Sequence, residues 1–181
     1  MSEIFHISER GDIQTFTPRP FWHVNFVWSG RVSPNKSIPN GATIFNVVYC
    51  DSADKLPFYY LPRSTPRIWL THAISGRNIR TLQGLCDTSG DYRVLVVPTD
   101  AEAGIRSHQF YRYSFDPSDF ELLPTGEWVC YRPVKPTAVS GAHRTIESLG
   151  IDGVQLVFCS DLPALKHRLD EESVVHHCEK V

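Results

Sequence analysis

The sequence predicts an α+β fold: two packed sheets, mostly antiparallel or mixed, framing a cleft and accompanied by short helices. Three observations carry this expectation. Runs of β-branched and aromatic residues recur at strand length, several with period-two alternation. The helical stretches are short and bounded by proline or glycine. Strands gather in the middle of the chain and do not alternate regularly with helices, which argues against a doubly wound parallel sheet.

The first strand is read over residues 4–8, Ile-Phe-His-Ile-Ser. Alternation sends Phe5 and Ile7 to one face and Ile4, His6 and Ser8 to the other. Gly11-Asp12 turns the chain, and Thr17-Pro18-Arg19-Pro20 forces an extended exit, because proline fixes its own φ and restricts its neighbour. Residues 21–41 carry Trp22, His23, Phe26 and Trp28 among Gly, Pro, Ser and Asn with no clean period. They read as a long loop with aromatic anchors, flanking a site. Residues 42–50 are a buried strand. Asp51-Ser52 follows as a helix N-cap with Asp54 in the first turn, and Pro57 and Pro62 keep that helix short.

Ser64-Thr65-Pro66-Arg67 makes a second proline–arginine turn before a strand over 68–73. Residues 75–91 are polar with weak helical character; 92–97 form a strand ended by Pro98; 100–107 form a short helix or turn. Residues 109–115 alternate as a strand. After a turn at 116–119, residues 120–123 and 127–131 pair as strands about Pro124-Thr125-Gly126. A brief strand at 137–139, a helix over 142–149 stopped by Gly150, a strand over 154–158 and a helix over 162–169 begun near Ser160-Asp161 complete the chain. Neither an internal repeat nor a linker is visible, so residues 1–181 read as a single domain with a polar tail from about 171.

A chain of 181 residues is long enough for a real core. The formal net charge of -2 argues against bulk binding to a nucleic-acid backbone. No apolar run reaches membrane-spanning length, and the opening Met1-Ser2-Glu3 lacks the basic and apolar regions of a secretory signal, so the expected location is cytoplasmic and no membrane partner is expected. Five cysteines without a C-x-x-C read as free thiols in a reducing compartment. His176-His177-Cys178 lies in the tail, where fraying is a better account than a metal site, and no metal is expected. The chain has no Ser-His-Asp elbow, no G-x-x-x-x-G-K-[ST] and no G-x-G-x-x-G.

The chemistry-bearing candidates lie in three stretches. His6 and Ser8 point the same way from a rigid strand and can hold a polar ligand edge. Tyr59 and Tyr60 end the strand–turn–helix unit, where one of them can lay its ring on a planar ligand while the other packs the core. Glu127 starts a strand beside aromatic residues, where a carboxylate can take a proton or stabilise an oxocarbenium-like centre. Arg63 and Arg67, four apart at proline turns, can bind a phosphate or carboxylate or can pin loop carbonyls; Arg19 is a third candidate for the same anion.

Glu127-Trp128-Val129-Cys130-Tyr131 resembles the E-Y-[IV]-V-Y strand that carries the catalytic glutamate of the diphtheria-toxin-like ADP-ribosyltransferases. His6-Ile7-Ser8 is similar to that superfamily's H-G-[ST], and residues 47–60 are similar in layout to its tyrosine-bearing unit. The resemblance implies an ADP-ribosyltransferase-like fold, NAD as substrate and a His6–Tyr59–Glu127 set, with Tyr60 and Tyr49 as rivals for the middle role. It further implies that His6 and Ser8 hold the nicotinamide ribose and amide and that Arg19, Arg63 or Arg67 meets the pyrophosphate. Ile7 stands where the superfamily has glycine and favours a non-catalytic binding module on the same fold; a small-molecule enzyme of secondary metabolism is the third reading. The chain also resembles an uncharacterised family of small proteins. Its motifs are a Tyr-His-x-Ser-Glu opening with a Phe-x-Pro-Arg turn, a Tyr-x-x-Pro-Arg-x-Cys-Pro-Arg segment and a W-V-S-x-x-P-V-x-P strand. They appear here at residues 5–19, 59–67 and 128–136.

Overall fold

Strand-length runs of β-branched and aromatic residues become eleven strands in the computed structural model, which describes residues 3–23, 43–76, 78–123 and 126–181. The fold is α+β, but the described strands form three sheets where the sequence suggests two. By contact the chain divides into two compact units, each built from two separated segments: Met1–Ala53 with Arg112–Ser140, and Asp54–Tyr111 with Gly141–Val181.

The first unit holds β1 (Ile4–Ser8), β2 (Arg19–His23), β3 (Thr43–Cys50), β7 (Glu121–Leu122) and β8 (Trp128–Cys130). Strands β2-β3-β8-β7 form one antiparallel sheet. The first three residues of the expected aromatic loop are therefore strand: Phe21, Trp22 and His23 pair with Phe45, Ile44 and Thr43. The backbone ladder with β3 supplies the order that the local pattern lacks. The rest of that expected loop, with Phe26 and Trp28, lies outside the described residues. Phe16 is the hub of this unit's interior. Its ring meets the edges of His6 at 4.9 Å, Tyr113 at 4.9 Å and Phe115 at 5.2 Å, and its backbone exchanges hydrogen bonds with Val134. Such edge-on aromatic contacts add about 0.5–1.5 kcal/mol each beyond area burial. The buried Tyr113 hydroxyl donates to the Arg10 carbonyl and accepts from the Ile13 N–H, which fixes the Gly11-Asp12 turn.

The second unit is built on a mixed sheet of β10 (Gln155–Cys159), β5 (Arg93–Pro98), β4 (Arg67–Thr71) and β11 (His177–Glu179), in that order. β10 and β5 are parallel; the other pairings are antiparallel. Val94, Leu95, Val96 and Val97 are all 0% exposed, as expected of a central strand covered on both faces. Helix α4 (Leu162–Glu171) lays Leu162, Leu165 and Leu169 against Val94, Val96 and Ile68 at helical spacing. Asp161 caps it, its Oδ1 accepting the Ala164 N–H at 2.9 Å. The expected frayed tail is instead edge strand β11, its Cys178 opposite Ile68. β11 satisfies the backbone groups on the side of β4 away from β5, and Val174 and Val181 anchor the flanks against the core.

Strands β6 (Gln109–Phe115) and β9 (Ala138–Arg144) carry the chain across the unit boundaries and belong to a sheet of order β1-β6-β9. The expected helix over 142–149 is displaced by β9: helix α3 begins only at Thr145 and runs to Ile151, through Gly150. Gly141 makes the longer strand possible. A Cβ there would lie 2.9 Å from the Phe110 carbonyl oxygen, and its φ of +140° suits glycine. Among the described residues the two remaining α-helices are short, α1 (His72–Ser75) and α2 (Glu102–Ser107).

Candidate functional site

Strand β3 organises the polar cluster of the first unit. Tyr49 faces Val129 across the β3–β8 ladder, and continuing that register sets Asp51 opposite Glu127. Alternation therefore places Tyr49 and Asp51 on one face with Glu127 and Val129. The Tyr49 hydroxyl donates to Asp51 Oδ2 at 2.8 Å and lies 3.3 Å from Glu127 Oε1. A phenol carries one proton, so the shorter bond to Asp51 takes it and Glu127 holds the weaker contact. Asp51 is 2% exposed, and its Oδ1 also accepts the Ser52 N–H at 3.0 Å. His6 joins from β1: its Nδ1 lies 2.7 Å from the Tyr49 carbonyl oxygen, which makes Nδ1 the protonated nitrogen because a carbonyl only accepts. Strand β1 is held to the residue just past β3 by two backbone hydrogen bonds between Phe5 and Asp51, 2.9 Å each.

Asp51 is not the helix N-cap that the sequence suggests. The next helical element is a 3-10 turn, Leu56–Tyr59, whose cap position is Lys55 and which makes no side-chain cap bond. The carboxylate is drawn instead to Tyr49, two residues back on the same strand face. Alternation in Val-Tyr-Cys-Asp was the sequence signal that could have placed Asp51 in the cluster.

Ser8 ends β1, and its Oγ accepts the Arg10 N–H at 3.2 Å. Arg19 is exposed at the start of β2, opposite Val47. The remaining candidates belong to the second unit. Tyr59 is half-buried, its ring edge-on to Phe58 at 5.2 Å. Tyr60 is 5% exposed and stacks on Phe110 at 4.4 Å; its carbonyl accepts from the Thr145 hydroxyl at 2.6 Å. Arg63 is exposed, and its carbonyl oxygen accepts from the Lys180 ammonium. Arg67 is 2% exposed: Nε donates to Thr65 O at 3.1 Å, Nη1 to Phe58 O at 2.6 Å and Nη2 to Pro62 O at 2.8 Å. Its donors therefore go to loop carbonyls, the second of the two roles open to it from sequence. Burial lowers the Arg67 pKa, and Glu179, 3.7 Å away, opposes that shift.

Within the first unit His6 meets the Tyr49 backbone carbonyl and Glu127 its hydroxyl, whereas Tyr59, Tyr60, Arg63 and Arg67 belong to the other unit. The model of the Family of unknown function (DUF6886) matches residues 5–179. The chain belongs to that family. The match spans the Phe-His-Ile-Ser-Glu opening, the central Tyr/Pro-Arg segment and the Trp128–Pro136 stretch that carry the resemblance to an uncharacterised family. No curated protein and no solved structure matches the chain. Among the described residues no helix is long and apolar enough to cross a membrane, and no group of three His, Cys, Asp or Glu side chains is placed to hold a metal.

Proposed function

We propose that this DUF6886 protein binds NAD or a related nucleotide and transfers its ADP-ribose moiety, with His6, Tyr49 and Glu127 as the working residues. One observation carries the reading. The two residues that the superfamily resemblance pairs, a histidine on the first strand and a glutamate before a later one, are both bonded to Tyr49, one of the tyrosines considered for the middle role. In this reading His6 and Ser8 hold the nicotinamide ribose and amide. Glu127 accepts a ribose hydroxyl and faces the anomeric carbon. The glycosidic C–N bond breaks, its electron pair goes to the nicotinamide nitrogen, and nicotinamide leaves neutral. Positive charge then develops on the ribose, where a fixed carboxylate is worth most. An acceptor nucleophile bonds to the anomeric carbon and releases its proton. Asp51 keeps the Tyr49 hydroxyl turned and so steadies the side chain beside Glu127.

The test is nicotinamide release from NAD, with binding followed separately by the shift in melting temperature. Glu127→Gln is expected to keep most of the affinity and lose turnover by about a hundredfold or more, the pattern of an interaction made in the transition state. Binding without release would replace the transferase by a non-catalytic nucleotide-binding module, the reading that Ile7 favours. Neither release nor a shift at millimolar NAD, ADP-ribose or nicotinamide would overturn both.

A further inference from the structure

Among the described residues three arginines are not exposed: Arg67, Arg93 and Arg112. Each has its guanidinium over an aromatic ring, Arg67 over Phe58 at 5.3 Å, Arg93 over Trp69 at 5.6 Å and Arg112 over Phe5 at 4.9 Å. Two of them also have carbonyl acceptors. Arg67 donates to three, and Arg93 donates to Asp152 O at 3.0 Å and to Asp54 O. Arg112 differs. Its Nε is shielded from solvent and has no acceptor, and no described carboxylate pairs with the side chain. A desolvated guanidinium donor without an acceptor is unfavourable, and such groups are rare in folded proteins. The ring of Phe5 offsets part of that cost but accepts no directed N–H bond.

We infer that Arg112 is an oxyanion-binding residue and that a phosphate or carboxylate of a small ligand supplies its missing acceptor. A guanidinium offers its donors in a fixed fork that matches such oxyanions, and a neighbouring ring restricts its motion before the ligand arrives. Arg112 lies on the opposite face of β1 from the His6 ring, on the side of Phe5 and its bridge partner Asp51. Arg112 meets Phe5, whereas His6 meets Phe16, which in turn meets Tyr113 and Phe115. Alternation along β1 and β6 accordingly puts Phe5 and Arg112 on one face and His6, Tyr113 and Phe115 on the other. The inference does not depend on NAD chemistry.

The full chain is titrated with inorganic phosphate, pyrophosphate and acetate against sodium chloride of equal ionic strength, and melting temperature and affinity are read. A shift with phosphate or pyrophosphate alone identifies a phosphorylated ligand, and one with acetate alone a carboxylate. In either case Arg112→Met is expected to remove the shift, and to melt no lower than the parent without ligand, because it also removes a buried unpaired donor. Arg112→Lys keeps the charge without the fork and is expected to weaken binding about tenfold or more. No ion-specific shift in the parent, or an undiminished shift in either variant, overturns the inference. A much less stable Arg112→Met together with an unchanged affinity in Arg112→Lys would also overturn it, by making the arginine a purely structural partner of Phe5.

Discussion

Cys50 shows how far one residue's chemistry depends on its surroundings. All five thiols are free, but Cys50 is 0% exposed and Cys130 1%, whereas Cys178 is exposed on an edge strand. Burial pushes the Cys50 thiol far above its ordinary range, and neighbouring Asp51 and Cys130 add to the shift. The thiolate is the reactive form, so Cys50 has almost none of it at neutral pH. Timed alkylation of the native protein at pH 8, read by peptide mass, is therefore expected to label Cys178 first and Cys50 last. Early labelling of Cys50 would mean that β3 opens readily. Arg67 makes the same point for a charged group. From sequence it was equally suited to an anion or to loop carbonyls; three carbonyl oxygens within 3.1 Å take its donors.

Among the elements, the 3-10 turn Arg80–Leu82 is held from outside its own sequence. Its cap residue, Ile79, has no capping side chain. Glu172, just past α4, accepts the Arg80 N–H at 2.7 Å, the Thr81 N–H at 2.8 Å and the Thr81 hydroxyl at 2.7 Å. Burial opposes ionisation of Glu172, but the hydrogen bonds from Thr81 and Arg80 outweigh it and hold the carboxyl below its ordinary range. A lowered carboxyl pKa stabilises the folded state fully above the ordinary range, and that contribution disappears as pH falls through the folded value. Glu172→Gln is thus expected to lower stability by about 1–2 kcal/mol at pH 7. In urea unfolding series at several pH values, the gap between parent and variant should close on acidification; a gap independent of pH would place the effect in packing.

At the scale of the whole molecule, the chain passes between its two compact units three times, at residues 53–54, 111–112 and 140–141. Each unit is closed by segments distant in sequence. Phe16 packs on Tyr113 and Phe115, and β3 takes β8 as its ladder partner. Residues 1–53 expressed alone would leave both sets of contacts unmade and present the β3 edge to solvent. That fragment is expected to show neither a strand signature in far-ultraviolet circular dichroism nor a cooperative melt; a cooperative melt would show that 112–140 is dispensable for the first unit.

What the sequence determined by itself is what depends on near neighbours. Alternation placed β1 and β6 at their full bounds, β-branched density placed β3 and β5 to within a residue, and Asp161 with leucines at helical spacing placed the start of α4. Glu127 and His6 were legible as candidates because one stands just before a strand and the other lines one, each with a chemical type that stands out from its neighbours. The tertiary structure decided the rest. β2 and β11 are ordered by the ladder edges of β3 and β4, and β9 displaces a helix because Gly141 lets it approach Phe110 and Tyr111. Asp51 left its expected cap for a tyrosine hydroxyl, and Arg112 was left over Phe5 with a buried donor unmet. Local periodicity encodes which face a residue takes; which acceptor a donor finds, and which edge a strand meets, depends on groups brought together from far along the chain.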